Sequence, residues 1–246
     1  MIASTTLART GIALFALLLL YPFLGFLAPI GQWHWGESSW AQSAASIRVS
    51  LVLTGIAMLI VVATGTPVAL YVARCPPPER LWWQALLLLS ILLPPLALGI
   101  LLSIAFNQAG FRFSNTPAAF VATQVYVSIG YYVLGAVAAF DAVPPMMEKH
   151  AALLGRNAWQ VFWRISFPLS RLGLAVALSV AWVRAIGEFG AVAVTAYYPS
   201  GMPVQLWINL ESFGLPAVMP LLAVFLAAAL PFPWIVHLLA QRRPHA

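Results

Sequence analysis

Long, uninterrupted apolar runs divide the chain and constrain its fold more than any other feature. Six of these runs approach the roughly 20 residues that an α-helix needs to cross the hydrocarbon core of a bilayer. Charged residues make up only 7% of the 246 residues, whereas a soluble domain has about 25%. Transmembrane β-strands would instead alternate in polarity over segments of about ten residues. The sequence therefore predicts an all-α integral membrane protein.

We predict six transmembrane helices within a single transmembrane domain that covers residues 1–246. Between the spans we expect polar joints, and the tryptophans of the first joint suit an outer interfacial belt. These tryptophans are Trp33, Trp35 and Trp40. The predicted spans are about 11–30, 48–73, 82–106, 117–140, 171–198 and 217–239, and the joints are 31–47, 74–81, 107–116, 141–170 and 199–216.

The distribution of basic residues predicts the orientation of the chain in the membrane. With both termini placed in the cytoplasm, nine Lys and Arg residues lie on the inner side and two on the outer side. Basic residues of short loops are retained in the cytoplasm, so this asymmetry favours cytoplasmic N- and C-termini. The inner residues are Arg9, Arg74, Arg80, Lys149, Arg156, Arg164, Arg171, Arg242 and Arg243; the outer ones are Arg48 and Arg112; Arg184 lies within a span.

Several functional classes find no support in the sequence. The single Cys75 excludes a disulfide within the chain and a cysteine cluster for a metal. No motif of a metalloprotease or a serine hydrolase occurs, so we predict no catalytic residue, no bound cofactor and no metal. The net charge of +6 follows from the basic residues of the inner face and does not indicate nucleic acid.

The joint 141–170 is too long for a simple connection between two helices, which usually takes about 2–8 residues. Its apolar residues recur every three or four positions, which predicts a helical apolar face. Gly155 suits a joint between two short helices, and Pro168 is expected to end the second one. This face needs a cover, either lipid headgroups or a groove on a partner protein. The apolar residues are Ala151, Leu154, Ala158, Phe162 and Ile165.

The same joint resembles a known motif. It reads Lys149-His150-Ala151, three residues, Gly155, nine residues, and Ile165-Ser166-Phe167-Pro168. This spacing resembles the loop of permease subunits of ATP-binding-cassette (ABC) importers. The resemblance implies a type I importer bundle (MetI-like) whose coupling helix docks on the ATPase subunit. Two positions depart from the motif: its Glu is Lys149 here, with Glu148 one place earlier, and its second position is His150. The resemblance assigns Lys149, His150, Ala151, Leu154, Gly155, Phe162, Ile165 and Pro168 to the coupling loop.

The fifth predicted span contains two charges, Arg184 and Glu188, which are four residues apart and therefore share a helix face. A charge inside the membrane costs about 2.5–3.5 kcal/mol, so both should face the bundle or a wet cavity. They form either a structural ion pair or part of a gate. Pro94 and Pro95 predict a broken helix, either a cavity wall or a fixed kink. The candidates for a translocation path or gate are Pro94, Pro95, Arg184, Gly187, Glu188, Phe189 and Gly190.

Residues 184–191 resemble the corresponding span of importers for molybdate, tungstate and sulfate, and residues 196–220 resemble molybdate/tungstate permeases more closely. The resemblance implies import of an oxyanion across the plasma (inner) membrane by a subunit that is not itself an enzyme. It further implies two ABC ATPase subunits, an external or periplasmic oxyanion-binding protein, and a second copy of this chain, all working in membrane lipid. The alternatives are a sulfate/thiosulfate permease or, less favoured, a secondary transporter, which would usually show internal repeats and more buried charges.

Overall fold

A computed structural model describes residues 2–28, 31, 40–110 and 113–241, and the regular structure of these residues is helical throughout. The predicted belt residues Trp33 and Trp35 lie outside this part of the chain. The helices are α1 (Ile2–Leu27), α2 (Trp40–Arg74), α3 (Pro77–Leu92), α4 (Pro95–Gln108), α5 (Pro117–Asp141), α6 (Pro145–Leu153), α7 (Ala158–Val161), a π-helical turn (Phe162–Ser166), α8 (Phe167–Ile186), α9 (Gly190–Thr195), α10 (Met202–Phe213), α11 (Leu215–Ala229) and α12 (Pro231–Gln241).

Five helical segments of the described chain are long and apolar enough to cross a membrane, and a sixth arises if a bent pair of helices counts as one span. The five are Arg9–Leu27, Ala41–Arg74, Pro117–Asp141, Ala158–Ile186 and Leu215–Leu239, and the bent pair is α3 with α4. This architecture agrees with the predicted all-α membrane bundle.

The predicted span 82–106 is broken in two at its prolines. Helices α3 and α4 meet at an angle of 106°. Leu93 and Pro94 have extended backbone, with ψ of 126° and 135°. A residue that precedes proline is pushed out of the α region. Two prolines in succession therefore force two extended residues, and the helix restarts at Pro95.

The predicted end of the fifth span and the predicted joint 199–216 are both wrong. The fifth span was expected to reach residue 198, but α8 ends at Ile186 and the chain leaves helical geometry at Gly187 before α9 begins at Gly190. The segment 199–216, expected to be a polar joint, contains the 12-residue helix α10. Helix α10 packs on α2 and α11, and these tertiary contacts stabilise it.

Pro168 does not end a helix, contrary to the sequence-based expectation. The chain is helical from Ala158 to Ile186, because the π-helical turn lies just before this proline. In that turn the Phe167 N–H donates to the Phe162 carbonyl, five residues back. A proline has no N–H to donate and is tolerated at the first positions of a helix. The wider turn allows α8 to begin there without a gap.

Helix α5 lies at the centre of the bundle and packs on α2, α3 and α8. Glycine allows α5 and α8 to approach closely. A Cβ on Gly173 would lie 2.5 Å from the Ala139 Cβ, and one on Gly135 would lie 2.8 Å from the Ala177 Cβ. Small residues at such crossings let two backbones pack directly, which drives association of helices in lipid. The two regions that contain the predicted functional residues, the loop 141–170 and the segment around Arg184, are both connected to this core.

Candidate functional site

Gly155 is the joint between α6 and α7, as the sequence predicts. Its φ is +82°, a conformation that glycine adopts without steric cost. The Gly155 N–H donates to the Ala152 carbonyl (3.0 Å), and the Arg156 N–H donates to the Ala151 carbonyl (3.1 Å). These two bonds form a Schellman motif, which satisfies the last carbonyls of α6. Asn157 is the N-cap of the next helix, α7, and its side chain forms a capping box with that of Gln160.

The joint splits the single apolar face predicted for residues 151–165. Ala151 is buried, with 8% of its surface exposed, whereas Leu154 is 83% exposed. Leu153 is equally exposed, at 84%, so the tip of α6 presents two adjacent leucines. Phe162 and Ile165 lie partly buried toward the bundle. The turn 153–155 therefore presents an uncovered apolar tip, separate from the exposed side chains of Trp159 and Trp163 that follow it.

A carboxylate fastens this loop to the bundle, and it belongs to Glu148, not to residue 149. The Arg74 guanidinium, at the end of α2, donates to both Glu148 oxygens at 2.8 and 3.0 Å. The Ser166 hydroxyl, in the π-helical turn, donates to the same carboxylate at 2.7 Å. Arg74 also donates to the carbonyls of Phe140 (3.1 Å) and Val143 (3.3 Å). The clamp therefore joins α2, the end of α5, α6 and the start of α8.

The same contacts set the charge state of Glu148. Burial raises the pKa of its carboxyl. The hydrogen bonds from Arg74 and Ser166 and the positive charge of Arg74 together lower this pKa by more than burial raises it. The net result is a pKa below the ordinary value. Because the folded-state pKa is depressed, the clamp stabilises the fold at pH values above the unfolded pKa, about 4.3 for Glu. That stabilisation is lost as pH falls through the folded pKa.

Sequence reasoning missed this clamp and a neighbouring ion pair. Arg80, on α3, donates to Asp141 at the end of α5, with one N–O distance of 3.2 Å. Tyr71 donates to Glu79 nearby. The chain has only six acidic residues, and this small number is the one sequence signal that could have pointed to each of them as an ion-pair partner. Their partners lie on other helices, however, and only the packing pairs them.

The second candidate region forms where two helix breaks meet. Helix α4 packs closely on α9. A Cβ on Gly190 would lie 3.1 Å from the Pro95 Cβ, and one on Gly99 would lie 2.8 Å from the Ala191 carbonyl oxygen. The structure thus brings Pro95 and Gly190, two candidates that are 95 residues apart, into direct contact. Gly187 makes no such approach, because the Val183 carbonyl of its own helix is what a Cβ there would meet.

Arg184 and Glu188 form an ion pair, as their spacing predicts, although no continuous helix carries both. Glu188 lies beyond the end of α8 and is almost fully buried, with 2% of its side chain exposed, whereas Arg184 is 25% exposed. The second Glu188 oxygen accepts the Ala191 N–H at 2.6 Å. The Arg184 guanidinium also lies 5.9 Å from the centroid of the Tyr131 ring. One carboxylate therefore neutralises a membrane-embedded charge and satisfies the first turn of α9.

Neighbouring polar side chains bridge the same break. The Gln124 amide donates to the Ala185 carbonyl at 3.0 Å, which satisfies a carbonyl at the end of α8. The hydroxyls of Thr123 and Thr195 lie 2.7 Å apart, and these two side chains and Gln124 are buried. Phe189 contacts Trp207, with ring centroids 5.6 Å apart. Within the described residues, no three His, Cys, Asp or Glu side chains are grouped so as to hold a metal ion.

Interrupted helices in contact inside a bundle of membrane-crossing helices are typical of transport proteins. The sequence narrows this class. Residues 65–244 match the family described as "Binding-protein-dependent transport system inner membrane component". The chain belongs to this family.

Individual relatives support the same assignment. A probable molybdenum ABC transporter permease protein of Haloferax volcanii is 33% identical, with 90% of this chain and 86% of the relative covered. A molybdate/tungstate transport system permease protein of Thermococcus kodakarensis is 29% identical, with 80% and 79% covered. A sulfate transport system permease protein of Escherichia coli is 24% identical, with 95% and 91% covered.

Solved structures share the fold. A chain of a bacterial alginate ABC transporter, solved in complex with an alginate-bound periplasmic protein, aligns with a TM-score of 0.75 at 15% identity and covers 98% of this chain and 94% of its own length. A chain of the inward-facing MetNI methionine ABC transporter aligns with a TM-score of 0.67 at 14% identity and covers 84% and 98%. The chain thus has the predicted fold of a type I importer permease.

Replacing Glu148 with Gln tests the clamp. The variant loses the charged bonds to Arg74, so its free energy of unfolding at pH 7 should fall by about 1–2 kcal/mol, because solvent screens this partly exposed pair. The deficit should shrink as pH falls below the unfolded pKa of about 4.3 and through the depressed pKa of folded Glu148. Unfolding of purified protein across that range is the measurement. Glu211→Gln, at an exposed position, is the matched control; an equal or pH-independent loss in both variants would contradict the clamp.

Proposed function

We propose that this chain is the membrane-spanning permease subunit of an ATP-driven importer that moves molybdate or tungstate into the cytoplasm. Family membership over residues 65–244 carries the proposal. The cargo follows from the named relatives, of which the molybdenum and molybdate/tungstate permeases are more similar to this chain than the sulfate permease. ATP hydrolysis takes place on a separate partner subunit in this scheme.

The assembly that we propose contains two copies of this chain, two ATPase subunits and an external or periplasmic oxyanion-binding protein. A two-fold axis between the permease copies creates a central path. Helix α1 supports a contact with a further chain or with lipid, because none of its most apolar window is buried within the bundle. Both termini lie in the cytoplasm, consistent with the gathering of Arg74, Arg80, Asp141 and Glu148 at one end of the bundle.

The turn 153–155 is suited to receive force from the ATPase. Its two leucines are exposed, while the Schellman motif fixes their direction. The Glu148 clamp links the same short helix to α2, α5 and the start of α8. A displacement of the turn is therefore transmitted to three spans, because the ion pair and its hydrogen bonds resist separation of α6 from them. This linkage makes the loop a two-state element that a distant nucleotide can bias.

The contact of α4 with α9 is suited to act as a gate. Both helices are short segments that flank a break, so they can move without distorting a long span. Arg184 supplies a partly exposed positive charge beside this contact, and Glu188 neutralises it. A compensated cation attracts a dianion without holding it tightly, as passage requires. Arg184, Glu188, Phe189, Gly187, Gly190, Pro94 and Pro95 remain the proposed path or gate residues.

Uptake of metal oxyanions tests the proposed cargo. Cells that lack this chain should lose accumulation of molybdenum and tungsten at trace concentrations. In parental cells, excess sulfate should leave that accumulation largely unchanged. Elemental analysis of cells with and without the gene is the measurement. Strong suppression of parental uptake by sulfate would instead assign a sulfate permease, and unchanged accumulation would contradict an oxyanion importer of either kind.

Substitution of Gly155 tests the docking loop. Gly155→Leu should abolish uptake, because the left-handed conformation costs a bulky residue about 1–2 kcal/mol and the turn would unwind. No atom lies within 4 Å of a Cβ at this position, so the effect would come from the backbone and not from a clash. Gly155→Asn is the control, since Asn tolerates this conformation. Normal uptake by the membrane-inserted Leu variant would contradict the docking role.

The ion pair offers a test that separates its two possible roles. Glu188→Gln should lower stability by up to about 3 kcal/mol, because it leaves the Arg184 charge without its partner in a largely desolvated site. The double variant Arg184→Gln with Glu188→Gln removes both charges and should recover most of that stability.

Transport by the same double variant then decides the role of Arg184. We expect uptake to stay impaired, since the path has lost its positive charge, while thermal unfolding of the purified protein is restored. Glu211→Gln serves as the control for a neutralised exposed carboxylate. Restored uptake together with restored stability would reduce the pair to a structural lock, and normal behaviour of Glu188→Gln would exclude both roles.

A further inference from the structure

A large apolar cavity lies beside the second half of the loop 141–170. Its volume is about 930 Å³, and α2, α5, α7, the π-helical turn, α8 and α12 line it. The polar side chains among its walls are few. Thr66 and Tyr132 bond to each other at 2.7 Å, so their polarity is satisfied within the wall. The third is Arg171, one helical turn into α8.

Arg171 has no carboxylate partner in the described part of the chain. The three ion pairs found there use Arg74, Arg80 and Arg184, and no hydrogen bond from the Arg171 side chain to a described residue is formed. Its side chain is nonetheless only partly exposed. A partly desolvated guanidinium at the rim of an apolar cavity calls for an external anion.

The cavity runs from the end of the bundle that carries Arg171 into the bundle interior. Trp159 and Trp163 stand at the same end as Arg171 and are 69% and 47% exposed, as expected of tryptophans at a membrane interface. From Leu70 to Val62 along α2 the wall rises about 12 Å into the bundle at 1.5 Å per residue. One end of the cavity thus offers a cation and aromatic rings, and the other offers hydrocarbon.

We propose that this cavity is a binding site for an anionic phospholipid of the cytoplasmic leaflet. One acyl chain fills the apolar interior, and the phosphate pairs with Arg171. Basic pockets between transmembrane helices on the cytoplasmic side are the arrangement that anionic headgroups recognise. The choice of leaflet rests on the proposed orientation, but the site itself does not depend on the cargo or on transport.

The position of the site gives the lipid a consequence. Phe162 and Trp163 belong to the π-helical turn, whose Ser166 bonds to the Glu148 clamp. A lipid packed against these rings holds the start of α8 in place, so its binding should favour one position of the coupling loop. A lipid regulates the protein only if it binds one position of the coupling loop more tightly than the other.

Native mass spectrometry of the intact purified chain, with its partner subunits where they co-purify, tests the site. Detergent-solubilised protein is titrated with phosphatidylglycerol and, in parallel, with zwitterionic phosphatidylcholine. We expect the parent protein to retain one phosphatidylglycerol molecule in preference to phosphatidylcholine. Arg171→Gln should weaken phosphatidylglycerol binding roughly tenfold and leave phosphatidylcholine binding unchanged. Arg171→Lys should keep much of the preference. Arg156→Gln, in the exposed loop, is the matched control.

A second variant examines the acyl-chain pocket. Ala63 lines the cavity and is exposed, so Ala63→Phe fills the space with little disturbance of the core and should weaken the binding of both lipids. An unaltered lipid preference in Arg171→Gln would overturn the proposal. Full retention by Ala63→Phe would also overturn it, as would a dimer that this variant dissociates, since a second copy would then occupy the cavity. Because lipid binding is read without transport, these outcomes are independent of the uptake experiment.

Discussion

A peptide group inside a bilayer has no water with which to bond. This constraint governs two breaks between helices in the described part of the chain, at Pro94-Pro95 and after Ile186. At the first, Pro94 and Pro95 remove donors, and the Leu98 N–H restarts the ladder on the Pro94 carbonyl at 2.9 Å. At the second, the chain opens after Ile186, and side chains of other residues satisfy the exposed groups. Gln124 bonds to the last turn of α8 and Glu188 bonds to the first turn of α9.

The two breaks support each other because they are in contact. Helix α9 is only six residues long and would not be stable alone. It is held between α4, through Gly99 and Gly190, and α5, through Thr123. The small residues are required there because the backbones nearly touch. The bundle thus combines a rigid scaffold of long helices with segments that are short enough to move.

At the end of the bundle that carries the loop 141–170, ion pairs take the place of close backbone packing. Arg74, Glu148 and Ser166 lie on separate elements, and their bonds couple the loop to the bundle. The exposed leucines at 153 and 154 and the glycine at 155 then form a small, well-directed apolar tip. The carboxylate that fastens the loop belongs to Glu148, one residue before Lys149.

The sequence by itself determined the helical membrane class, the break at Pro94-Pro95, the conformation of Gly155 and the pairing of Arg184 with Glu188. Each of these depends on local chemistry: the length of apolar runs, the missing donor of proline, the freedom of glycine and a spacing of four residues. Only the tertiary structure decided that α8 ends at Ile186, that α10 exists, that the helix passes through Pro168, and that Glu148 is the anchor. The end of α8, the presence of α10 and the Glu148 anchor depend on partners far away in the sequence, and no local pattern encodes which helix supplies the bond. The passage through Pro168 depends on the π-helical turn before it, which the apolar periodicity does not reveal.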